Sequence, residues 1–566
     1  MSSMKTRGYW ARIAAIPAVA AAFFMLNASA APGSGEGAAP YLRDFPSFAP
    51  RLAPDLPGDV DMALKARLEK AEAFNQVQRE FDLWSWQTFL ALNWPTDDGG
   101  HALPGIGANG APRWSLWHTS PSIFQVDGAR PTACGQSAKG PALRASRDLS
   151  KPISRGLSPF SAKAQADSDP RLTRHLGVVS AVGELHAENL DEITQAFSGP
   201  LVDQNREFVF YEMLIDPNEV GFLCSNSFYN INGQVAFKGS KMEFPEGTSQ
   251  AEGSGSTELK LAWKVLTPKK DDFSRFLTSV AWIKDPQPDG TSKDRKVTVG
   301  LVGMHIGHKT KSSPQWIWST FEHVDNLDVD SLAHPTLKPS FRDPNCDLCA
   351  VNQQPAPMGK SYARTPVQVW RAIPIPAEKM SLNAQAQAAL GQLGSVLQYY
   401  QLIDTQWPTQ PLTKPSPWNG ALPDAVANKA GGHPTPVYLT NVTMETYFQG
   451  DGSHGNAVNQ PACNGTENPD KTVCPPPAQP SARRAGGKRQ GAGAIGTPVM
   501  MTESCTGCHS SAGYYTSYDP ATGKSTLSSD NNQQQTADFS WLLQKKASWD
   551  FSAPPSPPAP RAPKRR

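Results

Sequence analysis

From Asp59 to Asn93 the apolar positions recur every three or four residues, through Leu64, Leu68, Ala71 and Phe74, with Lys and Glu between them. That spacing predicts an amphipathic helix. It runs into "FDLWSWQTFLALNWP", which is too apolar for a solvated surface, so this end is expected in the core, and Pro95 supplies a stop signal. From about 205 to 375 the pattern changes to short β-branched and aromatic runs: "EFVFYEML", "LKLAWKVL", "LTSVAWIK", "KVTVGLVGMHIGHK", "QWIWSTFEH" and "VQVWRAIP", broken by Asp, Gly, Asn and Pro. These predict strands spaced as an antiparallel sandwich or a curled sheet requires. No regular helix is expected between them, which disfavours parallel βαβ units. A helical period returns over 382–404, "LNAQAQAALGQLGSVLQYYQLID", with short helices expected at "TNVTMETYFQ" and "TADFSWLLQKKA". Residues 96–200 mix turn signals with short apolar runs and predict no particular element.

The expected fold class is therefore α+β: a central antiparallel β-rich, sandwich-like region with an N-terminal helix and a C-terminal helical segment. No internal repeat is visible. The ends read differently. A basic start (Lys5, Arg7, Arg12) leads into the apolar run "IAAIPAVAAAFFML" and then "ASA", Ala28-Ser29-Ala30, the pattern of a secretory signal with its cleavage site. The run is too short to span a bilayer as a helix, and no other long apolar run follows. The organisation expected from the sequence is a signal peptide over 1–30 and a flexible segment over 31–57. A helical and irregular region over 58–200 and a β-rich domain over 201–376 follow. A helical region over 377–550 and a disordered Pro-rich tail over 551–566 complete the chain.

Composition narrows the function. The 566 residues are 39% hydrophobic and 18% charged, enough for a sizeable core. The net charge of +2 includes three basic residues of the expected signal, so no basic footprint for nucleic acid remains. The patch "ARRAGGKR" within 450–497 reads as a solvated loop. Eight cysteines suit an oxidising compartment outside the cytoplasm. Cys463 and Cys474 flank a short loop, and Cys346 and Cys349 form "CDLC". Cys134 and Cys224 would be left for each other, although connectivity is not deducible from spacing.

The remaining two cysteines carry the chemistry. "SCTGCHSS" places Cys505 and Cys508 three apart, with His509 directly after the second. Two thiols at this spacing match the two vinyl groups of a haem, and the adjacent histidine falls under the ring as an iron ligand. Independent placement of 8 Cys and 11 His in 566 positions would produce this pattern about 0.002 times, so it is far more specific than "CDLC". A zinc site completed by "CDLC", a thioredoxin-like dithiol and a plain disulfide are the competing readings. "CTGCH" resembles a c-type cytochrome attachment site, matching at Cys505, Cys508 and His509. The resemblance implies one covalent haem c, thioether bonds from both cysteines and iron ligation by His509. "FDLWSWQTFLALNWP", "QWIWSTFEHVDN", "SCTGCH" and "DFSWLLQ" are also similar to a group of secreted bacterial proteins with one C-terminal haem motif, a resemblance that implies no activity.

An ordinary small cytochrome c places its motif early and a Met ligand tens of residues later. Here 57 residues follow His509, and none is Met or His. A sixth iron ligand is expected upstream. His323, beside Glu322 and Asp325 at the end of "WIWSTFEH", is the first candidate, followed by Met444 and His305. His305 and His308 lie three apart on an expected strand and should point to opposite faces. Met500 and Met501 sit close to the motif, and His433 and His454 lie in loop-like segments. The functional expectation is a periplasmic one-haem electron carrier with a redox partner protein, no nucleic acid and no membrane span after signal cleavage. The alternatives are a haem enzyme with an open distal iron, such as a peroxidase or oxygenase, or a sandwich-like binding module with a structural or sensory haem.

Overall fold

The computed structural model describes residues 52–97, 99–135, 173–176, 195, 198–248, 254–330, 332–346, 349–371, 374–411, 441–449, 505–530 and 533–552. The expected signal peptide, the basic patch, Cys463, Cys474, His433, His454, Met500 and Met501 lie outside them.

The single helix expected near the N-terminus is two. Asp61 caps α1 (Met62–Lys70) by accepting from the Ala63 and Leu64 amides, both at 3.0 Å. Glu72 then adopts φ +54°, a left-handed conformation that ends the run before α2 (Phe74–Leu92) begins. The aromatic end of α2 is buried, as its composition predicts.

The strands build one large sheet covered on both faces, in place of two sheets packed face to face. It consists of β1 (His118–Thr119), β2 (Thr173–Leu176), β3 (Val209–Ile215), β4 (Thr257–Val265), β5 (Thr278–Pro286), β6 (Ser292–Thr310), β7 (Ser313–His323) and β8 (Tyr400–Gln406). The main order is β8-β7-β6-β4-β3-β1, every pair antiparallel. β5 pairs antiparallel with the first half of β6, and β2 adds to β5 as the parallel exception. Five of the six strand-like runs are strands; "VQVWRAIP" is not, and contributes only a bridge from Gln368 to Val351.

Two expectations are corrected. α3 (Pro217–Asn226) and α4 (Ile231–Ala236) lie between β3 and β4, where no regular helix was expected. Asp216 opens α3 by accepting from the Asn218 and Glu219 amides, with Pro217 at the first turn. The helical pattern over 382–404 splits into α5 (Ala377–Gln392) and strand β8. Tyr400, Leu402, Ile403 and Thr405 are aromatic or mostly β-branched residues, and pairing with β7 overrides the helical period. A bulge between Leu402 and Asp404 adjusts the register.

One sheet face is covered by α2. Phe89 stacks on Phe321 at 4.1 Å between centroids, Trp86 meets the same ring edge-on at 5.2 Å, and Ser85 Oγ reaches Ser319 Oγ at 2.6 Å. The opposite face is covered by three stretches: residues 441–447; α6 (Cys505–His509) with the chain after it; and the segment leading to α7 (Leu542–Lys546). The hairpin β9 (Tyr515–Tyr518) and β10 (Ser525–Leu527) lies between α6 and α7 in sequence. Among the described residues no helix is long and apolar enough to cross a membrane.

Candidate functional site

The register of the sheet sorts the functional residues before any side chain is considered. Directly paired residues share a face, and successive pairs alternate. Three rows therefore lie on the face away from α2. The first is Glu258, Gly307, Trp318 and Gln406 across β4, β6, β7 and β8. The next, about 7 Å along the strands, is Lys260, His305 and Thr320. The third is Tyr211, Ala262, Gly303 and Glu322.

The cysteine–histidine turn sits over the first row. The Thr506 amide donates to Gln406 Oε1 at 2.8 Å, and the rings of His509 and Trp318 lie 4.3 Å apart. Gly307 has no side chain because Trp318 folds across it; a Cβ there would meet that ring at 2.8 Å. Residues 441–447 sit over the third row. The Tyr211 hydroxyl donates to the Thr443 carbonyl at 2.6 Å, and the Val442 amide donates to Glu322 Oε1 at 2.8 Å. Gly303 allows this approach, since a Cβ would stand 2.2 Å from Thr443 Oγ1. The middle row, with Lys260 and His305, is left between the two covering segments.

Within α6 the two cysteines are a helical turn apart and so share a side of the turn. Both are free thiols and half-buried, whereas Cys134 is bonded to Cys224 and Cys346 to Cys349. Burial, with Glu445 second, pushes the Cys505 thiol well above its ordinary value and Cys508 up to about 11. Both stay protonated, the opposite of a reactive dithiol. "CDLC" is closed as a disulfide and supplies no thiolate to a zinc ion. Among the described residues no group of three His, Cys, Asp or Glu side chains is arranged to hold a metal ion.

His509 is held in one tautomer. Its Nδ1 lies 2.7 Å from the Phe539 carbonyl, which can only accept, so the proton is on Nδ1 and the lone pair on Nε2. Burial lowers its pKa to about 4, opposed by that hydrogen bond, and the ring is neutral at physiological pH. The carbonyl is aimed by an unusual backbone: Gln535, Asp538 and Phe539 take φ values of +61°, +49° and +70°. Asp538 anchors the bend, accepting from the Phe244 amide at 2.7 Å and pairing with the buried Lys309.

These residues fit a covalently attached haem: two unpaired thiols on one turn, and a neutral imidazole whose outer nitrogen is fixed by a backbone acceptor. The three upstream candidates have separate surroundings. His323 lies on the α2 side of β7, fully buried and stacked on Phe276 at 4.1 Å. Its Nε2 donates to the Arg275 carbonyl at 2.8 Å and its Nδ1 accepts from the Asp325 amide at 3.1 Å, so no lone pair is left over. Met444 is buried in the main apolar core. His305 is in the middle row, and Glu445, next to Met444, reaches it: Nε2 to Oε1 is 2.8 Å. His308 points to the α2 side, as its spacing predicts, against Trp84 and the Ser254 carbonyl.

Sequence reading missed Glu445, Lys260, Trp318 and Phe539 as parts of this site. Lys260 carried the clearest signal, a cation inside the apolar run "LKLAWKVL". The other three are set by register and by the long return of the C-terminal segment. Compared with protein-family models, with curated proteins and with solved structures, the chain has no match.

Proposed function

We propose that this chain is an exported c-type cytochrome-like protein. It binds one haem through thioether bonds at Cys505 and Cys508, holds the iron with His509, and passes electrons to a redox partner protein outside the cytoplasm. The observation that carries this reading is the state of one helical turn. Cys505 and Cys508 remain thiols, while the other four described cysteines are joined in pairs, and the Nε2 lone pair of His509 is set by the Phe539 carbonyl. The bound haem would supply one-electron redox chemistry. The chain's own residues anchor it, orient the histidine and exclude water: α6 lies against the indole of Trp318, with Thr506 and Ser510 buried beside it. The two disulfides support an oxidising compartment, in line with the N-terminal export pattern.

The test is maturation of the full chain with a c-type haem-attachment system. The haem is expected to survive acid–acetone extraction, and the mass to rise by one haem. Cys505→Ala/Cys508→Ala should abolish both signals. Apo-protein mass in the unmodified chain, with no Soret absorption after extraction, sinks the proposal.

A further inference from the structure

Between α6 and residues 441–447 the sheet presents a polar pair that ties β6 to the 441–447 segment. Its members are His305 and Glu445, 16% and 13% exposed, joined at 2.8 Å. A carboxylate oxygen accepts, so the imidazole donates through Nε2, and Nδ1 is the ring nitrogen that Glu445 does not engage. That nitrogen is buried and has no hydrogen-bond partner. A buried ring nitrogen left bare is costly unless something occupies it.

Three further facts bear on what that occupant is. His305 lies on the same sheet face as Trp318, which touches His509, and one row away from it. The carboxylate–histidine pairing, with one ring nitrogen tied and the other free, is the arrangement that orients a metal-bound imidazole. His509 has the complementary form, with Nδ1 tied and Nε2 free.

We infer that His305, oriented by Glu445, supplies the second axial nitrogen to the iron of the haem anchored at Cys505 and Cys508. This inference rests on the haem reading proposed above and deepens it: the iron is bound on both sides by imidazole, so the site is built for electron transfer and not for binding a small ligand. His323 is excluded by its two occupied nitrogens. Glu445 is a positioning residue, acting through His305. Its second oxygen accepts from the Asn441 amide at 2.9 Å, which fixes the carboxylate from the far side.

The experiment uses the matured full chain, with covalent haem first established by extraction and mass. Low-temperature EPR and near-infrared magnetic circular dichroism of the oxidised protein are expected to report low-spin iron with two imidazole ligands. His305→Ala should convert it to high-spin iron that binds CO when reduced, and added imidazole should restore the low-spin signal. Glu445→Gln should keep the low-spin state and shift its EPR g-values, which a merely structural role would not do. A sulfur or amine charge-transfer band in the unmodified protein overturns the inference and points to methionine or lysine ligation. So does an unchanged low-spin spectrum in His305→Ala. Either result leaves the haem attachment standing. Failure of the extraction test removes the haem reading itself, and this inference with it. The measurement on the unmodified chain keeps the test decisive if His305→Ala does not fold.

Discussion

The chemistry of single residues here is decided by which atom each partner leaves free. His323 is a buried histidine and His305 a half-buried one, each near a carboxylate, and a sequence cannot separate them. Arg275 and Asp325 use up both nitrogens of His323, whereas Glu445 uses one of His305 and leaves the other bare. Asp538 is the residue on which the His509 tautomer depends at one remove. Removing its carboxylate as Asp538→Ala would leave Lys309 buried without its partner and the Phe244 amide without its acceptor. The expected cost is about 3–5 kcal/mol, read by denaturant unfolding of the full chain. Asp538→Asn retains the amide contact and should lose less. Equal stability of the alanine variant and the unmodified protein would show that the bend at 535–539 holds without this anchor.

At the level of elements, two segments far apart in sequence are fixed against the sheet by local devices. Glycines at 303 and 307 let residues 441–447 and Trp318 approach the backbone of β6, and His305 stands between them. The Cys134–Cys224 bond ties α3 to the short turn at 132–134 across 90 residues of sequence, with the Cα atoms 5.2 Å apart. A loop of that size implies about 2–5 kcal/mol of stabilisation. Cys134→Ala/Cys224→Ala should therefore lower the unfolding midpoint clearly, measured by circular dichroism, while Cys346→Ala/Cys349→Ala, which closes only three residues, should lower it much less. The element most misread from sequence is β8. Its residues continue a helical apolar period, but Gln78, Ser85 and Asn383 offer hydrogen bonds to Leu402 and Thr405 only in the strand. By contrast α2 was legible, because its apolar and aromatic residues gather towards the C-terminal end of a nineteen-residue helical stretch that stops near a proline.

For the molecule as a whole, the unusual feature is a set of buried carboxyl groups with raised pKa. Glu219 and Glu258 face one another beneath the C-terminal segment, with Asp216 and Asp538 nearby. Burial, then those neighbouring carboxylates, raises Glu219 well above its ordinary value, and burial chiefly raises Glu258. Glu80 is pushed up to about 8 and Asp203 to about 7, again by burial first. A carboxyl whose folded pKa exceeds its unfolded value binds more protons when folded. Its contribution is complete below the unfolded pKa and is lost as pH climbs towards the folded one. Burial lowers the pKa of His308, His323 and His509 to about 4, which acts the other way below about pH 6.5, so the carboxyl signature is a fall in stability between about pH 6.5 and pH 8. Calorimetry across that range tests it, and Glu219→Gln/Glu258→Gln should flatten the decline. A midpoint that rises steadily over the same range would refute it.

What the sequence alone determined was whatever depends on near neighbours. The thiol spacing at 505 and 508, the adjacent histidine, the opposed directions of His305 and His308, and most of the strands follow from local periodicity and covalent geometry. The tertiary structure alone decided which face each strand presents, because a register shift of one residue exchanges the faces. It also decided which cysteines stay reduced, since pairing needs Cα atoms brought within reach. Trp318 and Phe539 meet at His509, and Glu445 and His305 meet one sheet row away, which joins four segments separated by up to about 230 residues. No local pattern encodes such a meeting, because it arises only when the sheet is assembled and its second face is covered.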